Sequence, residues 1–213
     1  SYPSMDDTYY RVNYNYKIPG TSDRTIKFNA YSSSSAFSLV GTTITVPINQ
    51  TGMIIYAENV NLTMYGTVRG RVTVVTSNTS SSKGKITMGA SSADYDLLYY
   101  NPLTGGTTTS AYSGSSFAAI ASNGITFQGK DTSGGWGGGS GADLTVCGVY
   151  FDMSTSNMTA NGNSSYTMYL YGTRNKPVTT TFGDAAYSYD VWLNKNPPPG
   201  LPERPVLVTW HLR

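Results

Sequence analysis

The feature that most constrains this chain is a succession of short apolar clusters, rich in Val, Ile and Tyr, each closed within a few residues by Gly or Asn. Residues 52–78, GMIIYAENVNLTMYGTVRGRVTVVTSN, show it most clearly. A helix needs apolar positions at i, i+3, i+4 and i+7 over about a dozen residues, and no such segment occurs without a Gly or a β-branched run inside it. Strand patterning recurs instead at 25–31, 42–48, 53–57, 60–66 and 71–76. It returns at 85–89, 95–100, 117–121, 124–129, 144–151, 166–172 and 205–210. Clusters this short, bounded by turn residues, predict an all-β chain.

The clusters also repeat. IIYAENVNLTMYG (54–66) matches AAIASNGITFQG (118–129): a small or apolar run, a polar turn containing Asn, then apolar–Thr–apolar–x–Gly. VTVVTSN followed by GKITMG repeats the scheme across a Ser-rich insertion, and VCGVYFDMSTSNMTANG is a weaker copy. No copy can bury its apolar face alone, but copies stacked coil on coil bury a continuous inner stripe. The pattern therefore predicts a β-solenoid of short coils, with Gly and Asn at corners that need φ > 0. A β-sandwich is the alternative, because its strands would look much the same. In the solenoid reading Ile55, Val74, Ile120 and Val146 take equivalent inward positions on successive coils.

Composition narrows the function classes. Charged residues are 12% of the chain and the net charge is +2, which leaves no basic stripe for nucleic acid. Ser and Thr make up about a quarter of the residues, beside 23 Gly and 18 Tyr, a polar but uncharged balance suited to secreted β proteins. The single cysteine, Cys147, lies in the strand pattern DLTVCGVYFD and is expected to be a buried small hydrophobe. No apolar run of about 18 residues exists, so no helical membrane span is expected. The opening SYPSMDDTYY has no basic segment leading into an apolar one, so an exported chain is expected here in mature or truncated form.

Several landmarks carry a family resemblance. GMIIYAENVNLTMYGTVRGRVTVVTSN resembles a segment of PilX-like and related exported proteins of type IV pilus gene clusters, with its apolar–Tyr–x–x–Asn–Val and GTV–x–GRVTVV pattern. FAAIASNGITF and LTVCGVYFD are similar to the next two rungs of that family. YSYDVWLNKNPPPGLPERPVLVTWHLR is similar to its usual close: a Tyr–Asp, Asn–Pro–Pro–Pro, and a last strand ending in Trp. The resemblance covers residues 52–213. It implies a right-handed β-solenoid (β-helix) displayed outside the cell, and more distantly the tāpirin-like adhesins. The pilin-like amino-terminal helix such proteins often carry is missing from this sequence. The expected division is thus residues 1–50, amino-terminal strands acting as a cap or a donor strand, and residues 51–213, a solenoid with a Pro-rich turn and a closing strand.

Catalytic motifs are scarce. His211 is the only histidine, so a His-rich metal site is impossible, and no metal or cofactor is expected. The nearest acid pairs are Asp6 with Asp7 and Asp94 with Asp96; the latter would share one strand face, as a glycosidase pair could, or simply end a solvated strand. Binding features are clearer. Trp136 stands among glycines in TSGGWGGGSGAD (132–143), where its ring could stack on a sugar or fold back on the coils. Tyr99 and Tyr100 alternate, so only one of them can face outward to help it. In YYRVNYNY (9–16), strand alternation places Tyr10, Val12, Tyr14 and Tyr16 on one face. That face could cap the first coil or be donated to a neighbouring subunit's edge. Asn-x-Ser/Thr sequons at Asn49, Asn61, Asn78, Asn157 and Asn163 permit glycosylation in a host that glycosylates exported proteins.

These observations favour a non-enzymatic extracellular module, structural or adhesive, associated with a pilus or displayed on the cell surface. Its expected partners are other subunits of a pilus or filament, or an insoluble polysaccharide surface, and not nucleic acid. The alternatives are a filament subunit assembled by amino-terminal strand donation and a carbohydrate-active solenoid enzyme.

Overall fold

The computed structural model describes residues 7–32, 36–46, 50–79, 82–89, 96–129 and 142–201. The chain starts with one helical turn, α1 (Thr8–Val12), followed by β1 (Tyr16–Lys17), β2 (Arg24–Asn29), β3 (Ser38–Val40) and β4 (Thr43–Val46). Next come β5 (Gln50–Glu58), β6 (Leu62–Val68), β7 (Gly70–Ser77), β8 (Ile86–Met88), β9 (Leu97–Tyr100) and β10 (Thr107–Thr108). After a 3-10 turn, η1 (Ala111–Ser113), follow β11 (Ser116–Ala121), β12 (Ile125–Gln128) and β13 (Leu144–Asp152). The last elements are β14 (Met158–Asn161), β15 (Thr167–Arg174), β16 (Val178–Thr180), β17 (Asp184–Ser188) and a second 3-10 turn, η2 (Val191–Asn194).

These strands stack on three walls, in sequence order except that β4 lies outside β2. The first wall is β1–β5–β7–β11 and the second half of β13. The second is β4–β2–β6–β8–β12–β14–β16. The third runs from the end of β6 through β9, β13 and β15 to β17. All of these pairings are parallel, and from β5 onward the chain visits the walls in the same order on each circuit. The fold is therefore a β-solenoid, not a sandwich. Only β3 with β4 and β10 with β9 pair antiparallel among the described residues. β1 and β2 join this same solenoid, paired in parallel with β5 and β6.

The repeated apolar–Thr–apolar motif builds the second wall. Leu62-Thr63-Met64, Ile86-Thr87-Met88 and Ile125-Thr126-Phe127 lie in register, their apolar residues buried and their threonines turned outward. The register continues in both directions, giving an outer column Thr43–Thr25–Thr63–Thr87–Thr126–Thr159–Thr179. The Thr126 and Thr159 hydroxyls lie 3.0 Å apart. A β-branched side chain at each of these rungs suits the pleated wall, and each stacked pair contributes a few tenths of a kcal/mol, up to about 1.

On the first wall the inner column is Ile55–Val74–Ala119–Tyr150. Ile55 and Val74 are thus equivalent, as expected, but Ile120 and Val146 are not their counterparts. Ile120 sits one residue further on, in the outward column Tyr56–Val75–Ile120–Phe151. Val146 belongs to the third wall, between Leu97 and Leu170. A one-residue slip exchanges the two faces of a strand, and both faces of this wall are apolar, so periodicity could not set the register. The outer face stays buried because the first and last described segments cover it. Tyr10 packs with Ile54, Tyr56, Val75 and Ile120, and its hydroxyl donates to the Gly200 carbonyl at 2.9 Å. Thr73 donates to the Pro199 carbonyl at 2.6 Å, so the Pro-rich turn lies across β7.

Residues 9–16 correct a second expectation. They do not alternate as a strand: Thr8–Val12 is a helical turn and only Tyr16–Lys17 pairs, parallel to β5. Tyr10 is buried while Val12 is 75% exposed, so the four residues do not share a face. Packing of Tyr10 on the apolar outer wall overrides the local alternation.

Candidate functional site

The acidic residues mostly pin backbone at corners. Asp152 is buried; its carboxylate accepts from the Ser154 and Ile125 N–H groups at 2.8 and 3.2 Å, with Lys176 nearby. Asp96 accepts from Thr145 N–H and Asp143 from Thr167 N–H, both at 2.8 Å. Burial holds the Asp96 carboxyl above its ordinary pKa, partly offset by that N–H bond. Asp23 is bonded to Asn61 and paired with Lys83, which holds it below its ordinary value. Asp7 pairs with Arg11. Asp6, Asp94 and His211 lie outside the described residues. The Cys147 thiol is pushed far up by burial first and by the charges of Asp190 and Asp96 second, so it is a packed hydrophobe and not a nucleophile. Among the described residues no group of three or more His, Cys, Asp or Glu could hold a metal, and no helix is long and apolar enough to cross a membrane. A hollow lined by Phe28, Asn29, Ala30, Val46, Thr67, Arg69 and Val72 encloses about 10 Å³, room for no more than a single water.

The surface carries more chemistry than the interior. Tyr99 is fully buried, its phenol pushed well above the ordinary range chiefly by desolvation. Tyr100 is the outward member of the pair. The Arg69 guanidinium lies 4.6 Å from its ring centroid, and Tyr31, 58% exposed, meets it edge-on at 5.7 Å. The grouping follows from register: Val68 stacks on Tyr99 and Asn29 on Thr67, so the residues just beyond them gather at one corner.

A second aromatic cluster joins η1 to η2. Tyr112 and Trp192 are 42% and 40% exposed, with ring centroids 6.5 Å apart and planes inclined at 64°. The Lys195 ammonium lies 4.5 Å from the Trp192 centroid. What holds these rings is Asp190, which is buried. Its carboxylate caps η2 by accepting from Trp192 N–H at 3.0 Å and reaches across to Ala111 N–H at 2.5 Å. Asn196 donates to the Ala111 carbonyl, and Asn101 donates to the Tyr112 hydroxyl, both at 2.9 Å. Asn101 directly follows Tyr100, so the turn after β9 links the two clusters. A third ring–cation pair, Tyr187 with Arg174 at 4.0 Å, lies on the last coil.

Sequence reasoning missed Tyr112, Trp192 and Lys195. The available signal was the capping residue before each ring, Ser110 in SAYS and Asp190 in DVWLN, which marks a short helical turn rather than a strand. Trp136 and Asn49 lie outside the described residues. Of the other sequons, Asn157 and Asn163 are exposed, Asn78 is half-buried, and Asn61 is engaged at a corner with Asp23 and Lys85.

Asp190→Ala leaves the buried Ala111 N–H and the partly buried Trp192 N–H without their acceptor. A loss of roughly 2–4 kcal/mol is expected, read as a lowered melting temperature. Asn at the same position keeps one acceptor and should recover part of it.

Compared with known proteins, the chain matches no family model, no curated protein and no solved structure.

Proposed function

We propose that this chain is a non-enzymatic extracellular scaffold whose outer surface, rather than a cleft, is its working part, and that its work is adhesion to an insoluble surface. The observation that carries this reading is the pair of ring–cation clusters around Tyr100 and Trp192, the latter locked by a buried carboxylate. Rigid, half-exposed aromatic rings lose little conformational entropy on binding, which is what a weak surface contact needs. The carboxylates engaged at corners support a non-catalytic role, because an acid held by backbone N–H groups is neither a mobile proton donor nor a free base. Placement in a pilus or on a cell surface rests on the family resemblance alone.

A single stacked ring contributes about 1 kcal/mol, so one copy binds at the millimolar level. Many copies on one support gain by avidity. Bead-displayed protein is therefore expected to be retained on at least one insoluble polysaccharide that the free monomer binds only weakly. Beads that pass every polysaccharide tried would overturn the adhesive reading.

The filament alternative keeps one support, at the other end of the molecule. β17 pairs with β15 on one side, and among the described residues no strand pairs with its other edge. A second copy could add there, and light scattering would show concentration-dependent growth.

A further inference from the structure

We infer that the surface around Tyr100 and Trp192 recognises an acidic polysaccharide, a sugar chain bearing carboxylates, and that Arg69 and Lys195 read the charge while the rings take the sugar faces. This deepens the adhesive reading and rests on it.

The argument starts from where the cations are. Ion pairs among the described residues engage Arg11, Lys17, Lys83 and Lys176. Arg69 and Lys195 lie over aromatic rings instead, at 4.6 and 4.5 Å from the centroids. A ring holds a cation in place and strips part of its water, but it leaves the positive charge uncompensated. The guanidinium keeps N–H donors in a fork that matches a carboxylate, and the ammonium keeps its own three donors. Asp190, the acid closest in sequence to Trp192, turns inward to the Ala111 and Trp192 N–H groups, and no ion pair joins it to Lys195 among the described residues.

The rings supply the other half. The apolar C–H face of a pyranose packs on an aromatic ring, and a carboxylated sugar then carries its charge within reach of the cation beside that ring. Two of the ring–cation pairs flank Asn101, which is bonded to Tyr112 and adjacent to Tyr100 in the chain. Two ring-plus-cation stations linked through Asn101 suit an extended polymer with a charged group on successive residues. A neutral glucan would use the rings and leave both cations without a partner.

The test uses the whole chain on beads, with alginate, a polymer of uronic acids, covalently coupled to an insoluble support as acidic probe and cellulose as neutral probe, in buffer containing a calcium chelator. Wild type should be retained on alginate, and retention should fall about tenfold between about 50 mM and about 500 mM NaCl because charge contacts at a surface are screened. The double variant Arg69→Gln, Lys195→Gln should lose most alginate retention with an unchanged melting temperature. Trp192→Phe, which keeps a ring, should retain more than Trp192→Ala. Retention on cellulose that ignores salt, or alginate retention that the double variant does not alter, overturns the charge assignment and leaves adhesion standing. Retention on neither, nor on any wider panel, overturns adhesion and this assignment together.

Discussion

Alanine at Gly172 is expected to abolish folding. Gly172 stacks on Gly148 where β13 and β15 turn from one wall to the next. Its φ is +149°, and a Cβ there would stand 1.8 Å from the Gly148 carbonyl oxygen. That oxygen belongs to backbone in a parallel ladder and cannot move without breaking the rung. Disfavoured backbone costs about 1–3 kcal/mol and overpacking adds a similar amount, together a large share of the stability of a domain this size. Gly106 is the control. Its φ is ordinary and a Cβ would meet nothing nearer than 3.5 Å, so Gly106→Ala should stay within about 0.5 kcal/mol of wild type. Circular dichroism and a melting curve on the two variants compare them directly; a normally melting Gly172→Ala protein would refute the stacked corner.

Aspartate at Val74 should be equally damaging. Val74 is fully buried on the inner column between Ile55 and Ala119. The apolar stripe around it offers no cation, so the carboxylate is buried unpaired at a cost of several kcal/mol, or is protonated at a similar cost. Ile120→Asp makes the informative comparison. Ile120 is just as inaccessible, but it points outward beneath Tyr10. Displacing α1 would let its carboxylate reach water, so Ile120→Asp should melt measurably higher than Val74→Asp. Equal melting temperatures would argue that the two residues share one face, contrary to the observed register.

Much of the solenoid was legible because its most regular wall is written in a three-residue motif. Apolar–Thr–apolar recurs where one face is buried and the other is solvated, so period-two alternation and the repeat reinforce each other at Leu62, Ile86 and Ile125. The wall containing Val74 was harder. Tyr56, Val75, Ile120 and Phe151 make its outer face apolar as well, and alternation carries no information when both faces are covered. The cover itself, Tyr10 from one end and the Pro199–Gly200 carbonyls from the other, joins residues some 190 positions apart, and no local pattern announces it. The same holds for the surface site. Tyr100 was foreseen as one of two alternatives, because alternation decides inside from outside. Tyr112 and Trp192 were not, because Asp190 brings two distant 3-10 turns together by a single buried carboxylate.

The claim that the surface works by holding and not by cutting can be put to one measurement. Bead-displayed protein is incubated with an insoluble polysaccharide that retains it, and the chain length of that polysaccharide is followed together with the retained fraction. Sustained retention with an unchanged length distribution is the expected result. Progressive shortening of the chains, or release of unsaturated or reducing ends, would contradict it and place a catalytic centre on this solenoid.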